Sequence, residues 1–113
     1  MTEPVFTKIA IIGAGLIGAS IARAAQEYGA AESVVLYDVS DDVRQRAAGI
    51  GLGNIAEDLK SAVTEADCVF LCVPVGALEA VAADAVPLMK AGAILTDVGS
   101  VKEQAASALS AAA

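Results

Sequence analysis

Short apolar runs alternate along the chain with stretches of helical periodicity. Residues 8–12 form a β-branched run that ends at Gly13, and residues 20–28 are helical in pattern and stop at Gly29. A second apolar run over 33–37 is closed by Asp38, and a polar, amphipathic stretch over 41–48 ends at Gly49. Residues 54–56 predict a short strand and 59–65 a short helix. Residues 68–73 are the most apolar run and end at Pro74. Residues 77–89 are helical, with Pro87 marking a break or restart. A fifth run over 93–98 ends at Gly99, and a last helix starts near Val101.

The apolar runs are continuous rather than alternating, as strands buried on both faces require. Strand–helix alternation at this spacing predicts right-handed βαβ crossovers and a parallel sheet with helices on both faces. The expected fold class is a doubly wound, Rossmann-type α/β domain of five strands in the order 3-2-1-4-5, without a sixth strand. Ligands of such sheets sit at the carboxyl ends of the strands, where the order reverses. That crevice falls between the strand ending at Gly13 and the strand ending at Pro74. The missing sixth strand and the Ala- and Ser-rich tail over 105–113 are what a chain cut inside a longer protein would show. A frayed natural terminus fits the tail as well.

The 113 residues fit one domain, 1–113, able to bury roughly 60–70% of its unfolded surface. Aromatics are 4% and Trp is absent, so Ala, Val, Ile and Leu must fill the core. A net charge of −7 repels phosphate backbones and anionic lipid, which argues against nucleic-acid and membrane partners. The chain contains no His, which removes imidazole bases, imidazole metal ligands and Ser-His relays. Cys68 and Cys72 share one apolar run at a separation too great to bridge on a strand. They read as reduced, buried, small hydrophobes, consistent with a cytoplasmic chain. No stretch is long and apolar enough for a membrane span, and none resembles an export signal.

Gly13-Ala14-Gly15-Leu16-Ile17-Gly18 is a G-x-G-x-x-G that follows a predicted strand and opens a predicted helix. In a dinucleotide site Gly13 turns the chain out of the strand, and Gly15 lets a pyrophosphate approach the backbone. Gly18 lets the helix lie close to the sheet, and the free N–H groups of the helix start, around Leu16 and Ile17, hold the anion. Local hydrogen bonds to a charged group, about 1.5–3 kcal/mol each, outweigh the screened long-range repulsion of the acidic chain. The bland alternative is a tight strand–helix turn with no ligand.

Asp38 ends the second run 20 residues after Gly18, where a carboxylate can accept hydrogen bonds from the adenosine ribose hydroxyls. A 2′-phosphate there would face that carboxylate, so the expected cofactor is NAD rather than NADP. A plain turn residue is the alternative. Ser40 is placed to cap the next helix, with Asp41 and Asp42 in its first turn. Arg44 and Arg46 read as a solvated face with i,i+4 pairing, although either could in principle reach a 2′-phosphate.

Val73-Pro74-Val75 closes the fourth run. Pro74 stops the ladder and stiffens a loop that would flank a bound cofactor, or it is a strand terminator only. Thr96-Asp97-Val98-Gly99-Ser100-Val101-Lys102 closes the fifth run. Ser100 and Glu103 form an S-x-x-E capping box. The Ser100 hydroxyl would also lie beside the nicotinamide end of the crevice, so a helix cap and a site residue are both open readings.

The glycine motif through Ala19-Ser20, Val73-Pro74-Val75, and Asp97-Val98-Gly99-Ser100-Val101-Lys102 together resemble the prephenate and arogenate dehydrogenases of tyrosine biosynthesis. The resemblance spans residues 8–107, and the last of these motifs is the most specific. Family members often carry Gly where Ala19 stands and Leu where Ala14 stands, both small changes. The resemblance implies oxidative decarboxylation of prephenate or arogenate, with hydride transfer to NAD. It implies a downstream histidine base, oriented together with the substrate hydroxyl by the serine at position 100. It further implies arginines for the substrate carboxylates and a helical C-terminal domain that completes the site and a homodimer. The chain is therefore expected to be the nucleotide-binding portion of such an enzyme, holding cofactor without turning over substrate. Two competing readings are another β-hydroxyacid-type or imine-reducing dehydrogenase, and a non-catalytic dinucleotide-sensing module.

Overall fold

The computed structural model describes residues 6–51 and 53–97. Five strands form one sheet, β1 (Phe6–Ile12), β2 (Ala31–Tyr37), β3 (Asn54–Ile55), β4 (Cys68–Leu71) and β5 (Ile94–Asp97). Four helices join them, α1 (Leu16–Glu27), α2 (Asp41–Ile50), α3 (Leu59–Val63) and α4 (Val75–Ala85), with a 3-10 turn over Val86–Leu88. All neighbouring strands pair in parallel, and their order is β3-β2-β1-β4-β5, as the alternation predicts.

The central strand β1 is buried on both faces, and its side chains alternate between two cores. Ala10 and Ile12 pack with Val69, Leu71, Val63, Leu78 and Ala82 on the α3–α4 side. Ile9 and Ile11 pack with Leu36, Cys68, Ala22, Ala25 and Ala47 on the α1–α2 side. Small helical alanines against branched strand residues let the helices settle close to the sheet, so the core forms without large aromatics.

Several expected boundaries move. Helix α2 does not stop at Gly49; it runs to Ile50 and is capped by Gly51, whose φ of 77° places it in the left-handed region. Helix α3 ends at Val63 rather than at residue 65. Lys8 reaches from β1 to donate from Nζ to the Ser61 and Thr64 carbonyls, at 3.1 and 2.7 Å, and Glu65 turns the chain with φ 63°. Strand β4 ends at Leu71 instead of residue 73, and β5 starts at Ile94 instead of residue 93. Helix α1 begins at Leu16, four residues before the expected start, and α4 begins at Val75. The predicted last helix and the Ser100–Glu103 capping box lie outside the described residues. Among the described residues no helix is long and apolar enough to cross a membrane.

Candidate functional site

The site grows out of the carboxyl end of β1. The Gly13 N–H donates to the Tyr37 carbonyl at 2.7 Å, and the Cys72 N–H donates to the Ile12 carbonyl at 2.8 Å. Strand β1 is thus still tied to both neighbours at the point where it turns out of the sheet. Gly13 makes that turn with φ 100°, and a Cβ there would lie 2.5 Å from the Cys72 carbonyl oxygen. A Cβ on Gly18 would overlap the Gly13 carbonyl oxygen. Protein sterics alone therefore require glycine at both positions.

Gly15 differs. Its φ is −77°, open to any residue, and a Cβ there would meet nothing within 4 Å. Neither backbone nor neighbours demand a glycine. It stands at the N-cap of α1 and, as a glycine, offers no side chain to the helix N–H groups. Gly15 lines a groove of about 350 Å³ with Arg23 and Arg46, two cations of an acidic chain. Leu16 is the first residue of α1, and the Ile17 side chain is half exposed.

On the other side of the loop lies a cleft of about 370 Å³. Ile12, Leu59, Val73, Pro74, Ala77 and Val81 supply apolar walls, and Asp38 and Asp84 supply acids. Such a cleft suits a flat, uncharged ring system carrying hydroxyl groups and disfavours a phosphate. The structure brings Gly13, Asp38, Val73 and Pro74 together around this cleft, while Val75 opens α4 and does not line it. Ser100 lies outside the described residues. Tyr37, Val39, Leu59, Ala77, Val81 and Asp84 also line the cleft, and sequence reasoning missed them as site residues. For Tyr37 and Val39 the signal was adjacency to Asp38; α3 and α4 carry none.

Asp38 is more than a residue facing the cleft. Its Oδ2 accepts from the Ala14 N–H at 3.0 Å and its Oδ1 from the Ser40 N–H at 2.9 Å. The carboxylate thus ties the glycine loop to the β2–α2 corner. An ionised carboxylate has about four acceptor positions, so room remains for ligand hydroxyls. Ser40 caps α2 as expected, its Oγ accepting from the Val43 N–H at 3.3 Å.

Arg44 is not part of a solvated face. It is 22% exposed, donates from Nη1 to the Asp38 carbonyl at 2.6 Å and pairs through Nη2 with Asp41 at 3.1 Å, an i,i+3 contact. Its guanidinium lies 5.7 Å from the centroid of the Tyr37 ring. The solvated reading fails because the corner turns the Asp38 carbonyl toward α2. Arg46 is exposed.

Cys68 and Cys72 are both free thiols. Cys68 is buried, whereas Cys72 is only partly so, because it lies past the end of β4 at the cleft. Burial pushes the Cys72 thiol up to about 11. No metal-binding cluster occurs among the described residues.

Comparison with known proteins sharpens this picture. Residues 21–113 match the family model described as "Prephenate dehydrogenase, nucleotide-binding domain". The glycine motif precedes the matched span. A cyclohexadienyl dehydrogenase of Zymomonas mobilis is 52% identical over 99 residues, covering 87% of this chain and 34% of that protein. The crystal structure of Synechocystis arogenate dehydrogenase superposes with a TM-score of 0.78 at 29% identity, covering 92% of this chain and 38% of that one. Prephenate dehydrogenase from A. aeolicus, crystallised with hydroxyphenyl propionate and NAD+, has the same fold, with a TM-score of 0.78 at 22% identity. It is covered over 38% of its length, and 91% of this chain is matched. The chain thus spans about a third of the length of the curated relative it matches.

Proposed function

We propose that this chain, which belongs to the prephenate dehydrogenase family through its nucleotide-binding domain, binds NAD at the carboxyl edge of its sheet and serves as the cofactor-binding part of a prephenate or arogenate dehydrogenase. The observation that carries this reading is Gly15. Gly13 and Gly18 are explained by the protein's own packing, but the space beside Gly15 is left open. A ligand that approaches the backbone there accounts for it.

The residues present fit the cofactor. The N–H groups at the start of α1 and the open face of Gly15 receive the pyrophosphate. Asp38 accepts from the adenosine ribose hydroxyls while it holds Ala14 in place, and the apolar cleft walls cover the adenine. A 2′-phosphate meets the Asp38 carboxylate, which favours NAD over NADP. When bound, the nicotinamide supplies the hydride acceptor for oxidative decarboxylation. Ser100, three positions after the last residue of β5 in sequence, orients the substrate hydroxyl. The proton of that hydroxyl needs a base, and this chain has no His to supply an imidazole. The arginines for the substrate carboxylates belong to a helical second domain, which also forms the homodimer. The 113 residues alone hold cofactor and do not turn over substrate.

The test is calorimetric titration of the chain with NAD and with NADP, followed by NAD with prephenate or arogenate. Binding of NAD in preference to NADP, without NADH formation, is the expected result. Equal or tighter binding of NADP overturns the cofactor assignment, and substantial NADH formation overturns the division of labour.

A further inference from the structure

Arg44 touches two residues of the cleft: it bonds the Asp38 carbonyl and lies over the Tyr37 ring. A guanidinium so placed touches the backbone of the same residue whose carboxylate would meet a 2′-phosphate. Guanidinium groups bind phosphate in a planar, two-pronged way, so an arginine here would ordinarily favour NADP. Its second nitrogen, however, is occupied by Asp41 at 3.1 Å. Asp41 is itself held, since its Oδ2 accepts from Gln45 Nε2 at 2.8 Å.

We propose that Asp41 is a cofactor-specificity residue: it sequesters Arg44, so that Asp38 repels a 2′-phosphate while Asp41 withholds the arginine that could neutralise one. The proposal rests on the dinucleotide reading above. It assigns discrimination to a pair of acids acting through different means, one by direct repulsion and one through Arg44. Because an arginine released by Asp41 can hold a 2′-phosphate only where the Asp38 carboxylate no longer repels it, their effects on NADP binding must be coupled rather than independent.

Three variants test this, Asp38→Asn, Asp41→Ala and the double substitution, each titrated with NAD and NADP. Asp38→Asn keeps one side-chain acceptor for the glycine loop. The expected gain in NADP affinity is about 10-fold for Asp38→Asn and under about 3-fold for Asp41→Ala. The double variant should exceed their product by at least about 10-fold, within the range seen for residues sharing a partner. Adding Arg44→Ala to the double variant should remove that excess. Asp38→Asn combined with Asp42→Ala, which deletes a charge from the same helical turn and leaves the Arg44–Asp41 pair intact, should show no such excess. If Asp41→Ala melts below the assay temperature, Asp41→Asn carries the same cycle.

Additive gains, an excess that survives Arg44→Ala, or an equal excess when Asp42→Ala replaces Asp41→Ala in the double variant overturns the role given to Asp41. Those outcomes leave NAD binding in place. Failure of the unmodified chain to bind NAD is a different result: it overturns the cofactor reading and this proposal with it.

Discussion

The Asp38 carboxylate accepts a hydrogen bond from the Ala14 N–H at 3.0 Å across 24 residues of chain. The residue proposed to read the ribose therefore also fixes the loop proposed to hold the pyrophosphate. One side chain ties the end of strand β2 to the glycine turn, so the proposed ligand recognition would be coupled to loop geometry. Substitutions at Asp38 should show that coupling.

Asp38→Ala should cost about 1.5–3 kcal/mol of stability, the usual worth of a hydrogen bond to a charged group. It should also weaken NAD binding and erode the preference over NADP. Asp38→Asn, with one acceptor oxygen kept, should lose less stability than Ala. Urea unfolding of both variants checks this, and an Ala variant as stable as the unmodified chain would mean that the Ala14 contact contributes nothing.

At the opposite edge of the sheet Asp67 accepts from Lys90 Nζ and from the Thr7 N–H, and these bonds hold its carboxyl below the ordinary 3.8. As pH falls, the unfolded chain takes up the Asp67 proton first. The stabilisation is therefore complete well above pH 3.8 and is lost as pH falls through the lower folded value. Asp67→Asn should lower stability at about pH 7 and flatten its decline toward about pH 3. Urea midpoints across that range are the measurement. An acid limb as steep in the variant as in the unmodified chain would place the sensitivity elsewhere.

Cys72 sits beside the cleft with its thiol pushed from 9.0 up to about 11 by burial. Its thiolate fraction near neutrality is then about 100-fold below that of an ordinary thiol, and the thiolate is the reactive form. Alkylation of Cys72 by iodoacetamide, followed by peptide mass spectrometry, should be slower by about that factor in the folded chain than in urea. Equal rates in the two states would contradict the buried, protonated thiol.

The sheet order was legible because doubly buried strands and intervening helices leave few arrangements open. The tight strand–helix turn was legible as well, since Gly13 and Gly18 each have a distinct steric task. What escaped was long-range. Arg44 looks like a surface residue in sequence, and only the turn of the Asp38 carbonyl toward α2 makes it a brace. Gly49 looked like a helix stop. An exposed glycine inside a helix costs about 1 kcal/mol, so α2 passes through it to Gly51, whose left-handed conformation makes the real cap. The apolar run over 68–73 outlasts strand β4 because Val73 serves the cleft wall rather than the ladder. The half-buried Cys72 follows from the same early end. The contribution of Leu59, Ala77 and Val81 depends on where α3 and α4 land, which no local pattern records.

The central claim is that the open space beside Gly15 belongs to a dinucleotide, and the glycine motif separates it from the alternative of a tight turn. Gly18→Ala must displace the Gly13 carbonyl and should cost about 1–3 kcal/mol of stability through overpacking. Gly15→Ala meets no protein atom and keeps an allowed φ, so its cost should stay under about 1 kcal/mol, that of a poorer N-cap. The decisive measurement is a calorimetric titration of NAD into the folded Gly15→Ala chain beside the unmodified one. The account predicts binding at least about 10-fold weaker, about 1.4 kcal/mol, in a variant that melts close to the original. Unchanged NAD affinity in the folded variant would contradict it.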